Sequence, residues 1–198
     1  MESIFKCLIF IVGFQVLLIT ASAQTERQPV FSEKGGIIGY GYGVSHLNIP
    51  EGKYTPLFFM GHFGIDLLKA KKTAMPQRFT LFFEPQVNPV ILQRPGANGH
   101  SMEFGANVGV QHMYPVSRNF YLYILISTGP HFITVHTGQQ ARGFIFSDNM
   151  GAGTYFYISK NLALNTGFRI RHMSNANLEM PNHGINTMNF FIGISHLR

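Results

Sequence analysis

Apolar and polar positions alternate with a period of two through most of this chain, the spacing of β-strands with unlike faces. In "QRFTLFFEPQVN", Phe79, Leu81, Phe83, Pro85 and Val87 share one side, opposite Arg78, Thr80, Phe82, Glu84, Gln86 and Asn88. "PLFFMGHFGIDLL" sets Leu57, Phe59, Gly61, Phe63, Ile65 and Leu67 against Phe58, Met60, His62, Gly64 and Asp66. "EFGANVGVQHMY" sets Phe104, Ala106, Val108 and Val110 against Glu103, Gly105, Asn107, Gly109 and Gln111. In "IIGYGYGVSH", Ile38, Tyr40, Tyr42 and Val44 face away from a row of glycines, which suits the cramped inner wall of a narrow barrel.

Eight such segments are predicted as strands, at 36–46, 56–68, 77–89, 101–114, 119–133, 142–157, 161–174 and 186–196. Their connections alternate in character. "AKKTAMP", "PVSRN" and "SKN" read as short turns, and "LNIPEGKYT", "ILQRPGANGH", "VHTGQQA" and "NANLEMPNHGI" read as longer loops. Short turns at one end and longer loops at the other describe an outer-membrane barrel. The predicted fold is therefore all-β, an eight-stranded antiparallel transmembrane β-barrel. The alternative is a soluble β-sandwich or lipocalin-like barrel, in which the apolar face would be a core. Charged residues make up only 12% of the chain against 14% aromatics, which leaves little to wet an exterior.

The N-terminus breaks the alternation. "MESIFK" precedes the apolar run "CLIFIVGFQVLLIT", and Ala21-Ser22-Ala23 has the small-residue pattern of a secretory cleavage site. Residues 1–23 are expected to be a signal peptide and residues 24–198 the barrel domain. The alternative, an uncleaved anchor, would need about 20 apolar residues, and the run falls short. Cys7, the only cysteine, lies in this segment, so no disulfide or cysteine-based metal site is available to the rest. Removing Lys6 and Glu2 takes one charge of each sign and leaves the net charge at +6. For an exported protein that balance favours anionic lipid headgroups as partners over nucleic acid. No basic run or phosphate loop supports nucleic-acid binding.

Candidate chemistry is concentrated in "RHMSNANLEMPNHGIN", Arg171 to Asn186. In the preceding strand, Leu162, Leu164, Thr166, Phe168, Ile170, His172 and Ser174 share a face opposite Ala163, Asn165, Gly167, Arg169, Arg171 and Met173. Charge on the lipid side is costly at membrane depth, so the arginines belong inside, paired with acids such as Glu84 or Glu103. His172 and Ser174 then face lipid near the strand's outer end. Asn186 opens the next strand on the same face as Met188, Phe190, Ile192 and Ile194. A serine needs a neighbouring imidazole to take its proton, and the imidazole needs a partner to hold its tautomer. Side chains two residues apart on a strand face stand about 6–7 Å apart at the backbone, so rotamers must close the gap.

This segment resembles the motif of the lipid A 3-O-deacylases, the PagL-type outer-membrane enzymes. Those are eight-stranded barrels that hydrolyse an ester-linked acyl chain of lipopolysaccharide with a serine, a histidine and a glutamate. The resemblance implies His172 as base, Ser174 as nucleophile and Asn175 as a residue stabilising the oxyanion, with lipid A as substrate and no cofactor. The family's glutamate falls on Asn186, which can orient an imidazole but supplies no negative charge. Glu179, in the intervening loop, is the alternative orienter. Arg94 and Arg142 are candidates for contact with lipid A phosphate. The remaining histidines have no spacing that reads as a metal site. A rival function follows from the missing glutamate: a non-catalytic small barrel acting in adhesion or envelope integrity.

Overall fold

The computed structural model describes residues 31–43, 49, 52–68, 76–94 and 96–198. The expected signal peptide and Val44–His46, the end of the first predicted strand, lie outside these residues. Eight strands are formed: β1 (Glu33–Gly43), β2 (Lys53–Asp66), β3 (Arg78–Arg94), β4 (Ala97–Pro115), β5 (Phe120–Ile133), β6 (Gly143–Tyr157), β7 (Leu162–Ser174) and β8 (Ile185–Leu197). Each pairs antiparallel with the next, and β8 returns to β1 from Glu33↔Leu197 to Gly43↔Thr187, closing the barrel. Closure removes every unpaired sheet edge, which a strand needs in order to stand in hydrocarbon.

The alternation read from the sequence matches the observed faces. Ile38, Phe59, Phe83, Val108, Ile124, Met150, Phe168 and Ile192 all project outward and are exposed. A continuous apolar wall of this extent has no place on a water-soluble monomer. Inside, a cluster of Ile49, Tyr54, Val90, Leu92, Ile133, Ile145, Met173 and Ile185 fills the loop end. A second cluster, including Phe82, Met113, Tyr123, Tyr155 and Leu197, fills the end where the barrel begins and ends.

Charged side chains lie buried inside the same barrel. Arg169 donates to both carboxylate oxygens of Glu84, at 2.6 and 2.8 Å, and Arg171 donates to both of Glu103, at 2.8 and 3.0 Å. His62 joins Glu84 at 2.8 Å, while Tyr54 and Asn88 donate to Glu103. The guanidinium groups of Arg169 and Arg171 also lie over the rings of Phe191 and Phe58, each 4.8 Å from the centroid. The expected pairing of the two arginines with interior acids is what the barrel contains.

The β3–β4 connection differs from expectation. The sequence predicts a longer loop from Ile91 to His100, but the ladder runs on to Arg94↔Ala97 and leaves two residues between the strands. Val90 and Leu92 point inward into the loop-end cluster, so the alternation continues past the predicted strand end. Gly96, at φ +80°, supplies the left-handed residue that so tight a reversal requires. At the opposite end, the four-residue turns 116–119 and 158–161 are as short as expected, while β2 and β3 are joined by eleven residues, 67–77.

Candidate active site

Strand β7 is anchored from within. Arg169 and Arg171 point into the barrel and are clamped by Glu84 and Glu103, which fixes the pleat. A one-residue slip would turn both guanidiniums into lipid, so the register is strongly specified. The intervening residues, Ile170, His172 and Ser174, are thereby committed to the outer wall. Met173, fully buried in the loop-end cluster, holds the strand's last turn of pleat in the same sense.

His172 is opposite Asn186 in the β7–β8 ladder, and its Nδ1 lies 2.9 Å from Asn186 Oδ1. An amide oxygen only accepts, so Nδ1–H donates, and in the neutral ring this selects the tautomer with a lone pair on Nε2 that a general base requires. The opposite edge of the ring lies against Gly184, whose φ is +82°. A Cβ on Gly184 would collide with His172 Cε1 and come within 3.1 Å of Nε2. Gly184 therefore does two things: it makes the left-handed entry into β8 and leaves room for the imidazole. Gly184→Ala is expected to keep the barrel folded, read by heat-modified gel mobility, yet displace the ring.

Ser174 lies two residues along the same face, half-buried beside Phe146 of β6. Among the described residues its hydroxyl makes no hydrogen bond to His172, so the structure brings His172 to Asn186 but does not join Ser174 to them. Such contacts are often long before substrate arrives.

Asn175 is buried and braces the loop. Its N–H donates to Asn182 Oδ1 at 2.8 Å and its Nδ2 donates to the Glu179 carbonyl at 2.6 Å. Asn182 in turn donates to Asn177 Oδ1 at 2.9 Å. Ala176 and Asn177 both adopt left-handed conformations, at φ 54° and 65°. Two adjacent non-glycine residues in that region are strained and persist only where neighbours hold them. The β5–β6 loop adds to the hold: Ala141 N–H donates to the Pro181 carbonyl at 2.8 Å and His183 N–H to the Gln139 carbonyl at 2.7 Å. The Glu179 side chain is exposed and contributes its backbone rather than its carboxylate. Arg142 is exposed at the loop end, and Arg94 donates to the His136 carbonyl at 2.9 Å.

The family model for lipid A 3-O-deacylase (PagL) matches residues 95–195, from the start of the β3–β4 turn almost to the end of β8. The chain belongs to this family. Among solved structures, the crystal structure of the outer membrane enzyme PagL aligns at a TM-score of 0.56 and 17% identity, covering 79% of this chain and 97% of that one. Neisserial surface protein A aligns at 0.55 and 11% identity, covering 84% and 96%. At such identities these likenesses show a shared outer-membrane barrel architecture. No curated protein sequence matches the chain.

One outward residue escaped the reading of the sequence. Asp148 of β6 is the ladder partner of His172 on the side away from Asn186. The signal was present in "FIFSDNM", where alternation puts Phe144, Phe146, Asp148 and Met150 on one face.

Proposed function

We propose that this family member hydrolyses an ester-linked acyl chain of lipid A by a serine–histidine mechanism, at the level of the outer leaflet. The observation that carries the reading is His172 fixed through Nδ1 by Asn186 on the lipid-facing wall, with Ser174 beside it on the same face. Substrate reaches this wall by lateral diffusion and need not enter the packed interior. Residues 1–23 would direct export and be removed after Ala23, and the 134–142 and 175–184 loops would face the cell exterior.

Ser174 Oγ attacks the ester carbonyl while His172 Nε2 takes its proton. Collapse of the tetrahedral intermediate breaks the bond to the sugar oxygen, which leaves with the proton returned by His172. Water then repeats the sequence on the acyl-serine and releases the fatty acid. The oxyanion lies within reach of the segment that follows the nucleophile. Among the described residues no hydrogen bond occupies the N–H groups of Ala176 and Asn177, and the Asn175 side chain retains one N–H beyond that given to Glu179. Asn175 thus acts in the oxyanion site partly by holding the strained backbone in place.

Expression in a Gram-negative host followed by lipid A mass spectrometry tests the proposal. Loss of one hydroxyacyl or acyl mass is expected. Unchanged lipid A, with the barrel folded in the outer membrane, would overturn it and favour the non-catalytic rival. Asn186→Ala is expected to release the imidazole and lower kcat by about tenfold to a hundredfold with KM little changed, since Asn186 acts through His172.

A further inference from the structure

Asn186 orients His172 but carries no charge, and a serine–histidine mechanism makes the imidazole cationic in the transition state. Among the described strands, Glu33, Glu84, Glu103 and Asp66 all lie on the inner face. Asp148 is the one acidic side chain of these strands that points to lipid. A carboxylate on that wall is expensive, so its position calls for a cause.

The register supplies one. Thr128 of β5, Asp148 of β6, His172 of β7 and Asn186 of β8 are successive ladder partners, a single row across four strands on the outer wall. Residues directly opposite in an antiparallel ladder have Cβ atoms about 4.5–5.5 Å apart. Thr128 Oγ1 donates to Asp148 Oδ1 at 2.5 Å, which fixes the carboxylate and replaces part of its lost hydration. In this row His172 stands between the strand that carries its orienting amide and the strand that carries the anchored Asp148 carboxylate. Charge stabilisation acts through space and grows as the surrounding dielectric falls, so direct contact is not required.

The geometry points to Asp148 as the positioning residue that stabilises the His172 imidazolium, a charge that Asn186 cannot give. This rests on the proposed serine–histidine reading. Asp148 and Asn186 would divide between two strands the tasks that one glutamate performs in the resembled motif.

A mutant cycle on the full-length protein, with lipid A in detergent micelles, tests it. Asp148→Asn is expected to lower kcat by about tenfold to a hundredfold with KM within about twofold, and to slow fluorophosphonate labelling of Ser174 in parallel. Asp148→Glu should recover most of the loss. Asn186→Glu should raise kcat little in the wild type but strongly in Asp148→Asn, because either carboxylate meets the same need. Wild-type kcat in Asp148→Asn would overturn the inference and leave the hydrolase reading standing. So would a loss that neither Asp148→Glu nor Asn186→Glu recovers, which would mark a structural role. A wild-type protein that neither releases acyl chains nor labels at Ser174 would overturn both.

Discussion

Ser174→Ala should lower acyl release from lipid A by about three orders of magnitude or more while leaving the barrel folded. The size of the effect comes from the nature of the step removed. Without Oγ there is no acyl-enzyme, and water would have to attack the ester directly with only oxyanion donors to help. His172→Ala should cost about as much, because an unassisted serine hydroxyl is a weak nucleophile at neutral pH. The double variant should be no slower than the worse single one, since the two groups act as a unit. Both side chains stand half-buried on the outer wall, outside the core clusters, so neither truncation opens a cavity that would confuse the readout. Lipid A mass spectrometry gives the rate, and heat-modified gel mobility shows that folding is unchanged. Continued acyl release by Ser174→Ala would remove this serine from the mechanism.

Much of the architecture was legible because a barrel in lipid inverts a simple rule. Where the outside is hydrocarbon and the inside is narrow, each strand must alternate, and one arginine of known direction fixes all its neighbours. Arg169 and Arg171 therefore place His172 and Ser174 on the outer wall from the sequence alone, and the clamps to Glu84 and Glu103 show why no other pleat is available. Strand ends were less legible. Alternation does not stop where the predicted strands do, so β3 and β4 run on until Gly96, in a left-handed conformation, helps turn the chain.

The site was legible along one strand but not across strands. His172 and Ser174 share a strand, and Asn186 follows soon after in the next, so spacing was enough to associate them. Asp148 comes from the strand before, and only the register of β6 on β7 reveals that it stands beside His172. Gly184 reads in sequence as a loop-shaping glycine; that it also clears space for an imidazole depends on where the ring of another strand lies. The resemblance makes Asn175, or nearby backbone N–H groups, the holder of the oxyanion. The structure engages its backbone N–H and one amide hydrogen in the loop, which shifts attention to the left-handed backbone that it supports.

Glu103→Ala is expected to destabilise the barrel by about 3–5 kcal/mol, because it strands a fully buried guanidinium. Glu103 accepts two hydrogen bonds from Arg171 and one each from Tyr54 and Asn88. Removing it leaves Arg171 with Thr187, 3.2 Å from Nε, and the face of Phe58 as partners. That charge has no cheap escape, since on one side lies a packed interior and on the other lipid. Glu103→Gln keeps acceptor geometry but loses the charge, so a smaller loss is expected. Replacing both partners, as in Glu103→Leu with Arg171→Met, should recover much of the stability, because it removes the charges together with their desolvation. Denaturant unfolding in lipid vesicles would order the three variants. The same series bears on the site: Arg171 adjoins His172, so loss of its clamp should loosen the β7 pleat and lower acyl release, whereas the apolar pair restores packing without restoring the clamp. Stability and activity should therefore part company in the double variant, and their recovering together would show that packing alone holds His172 in place.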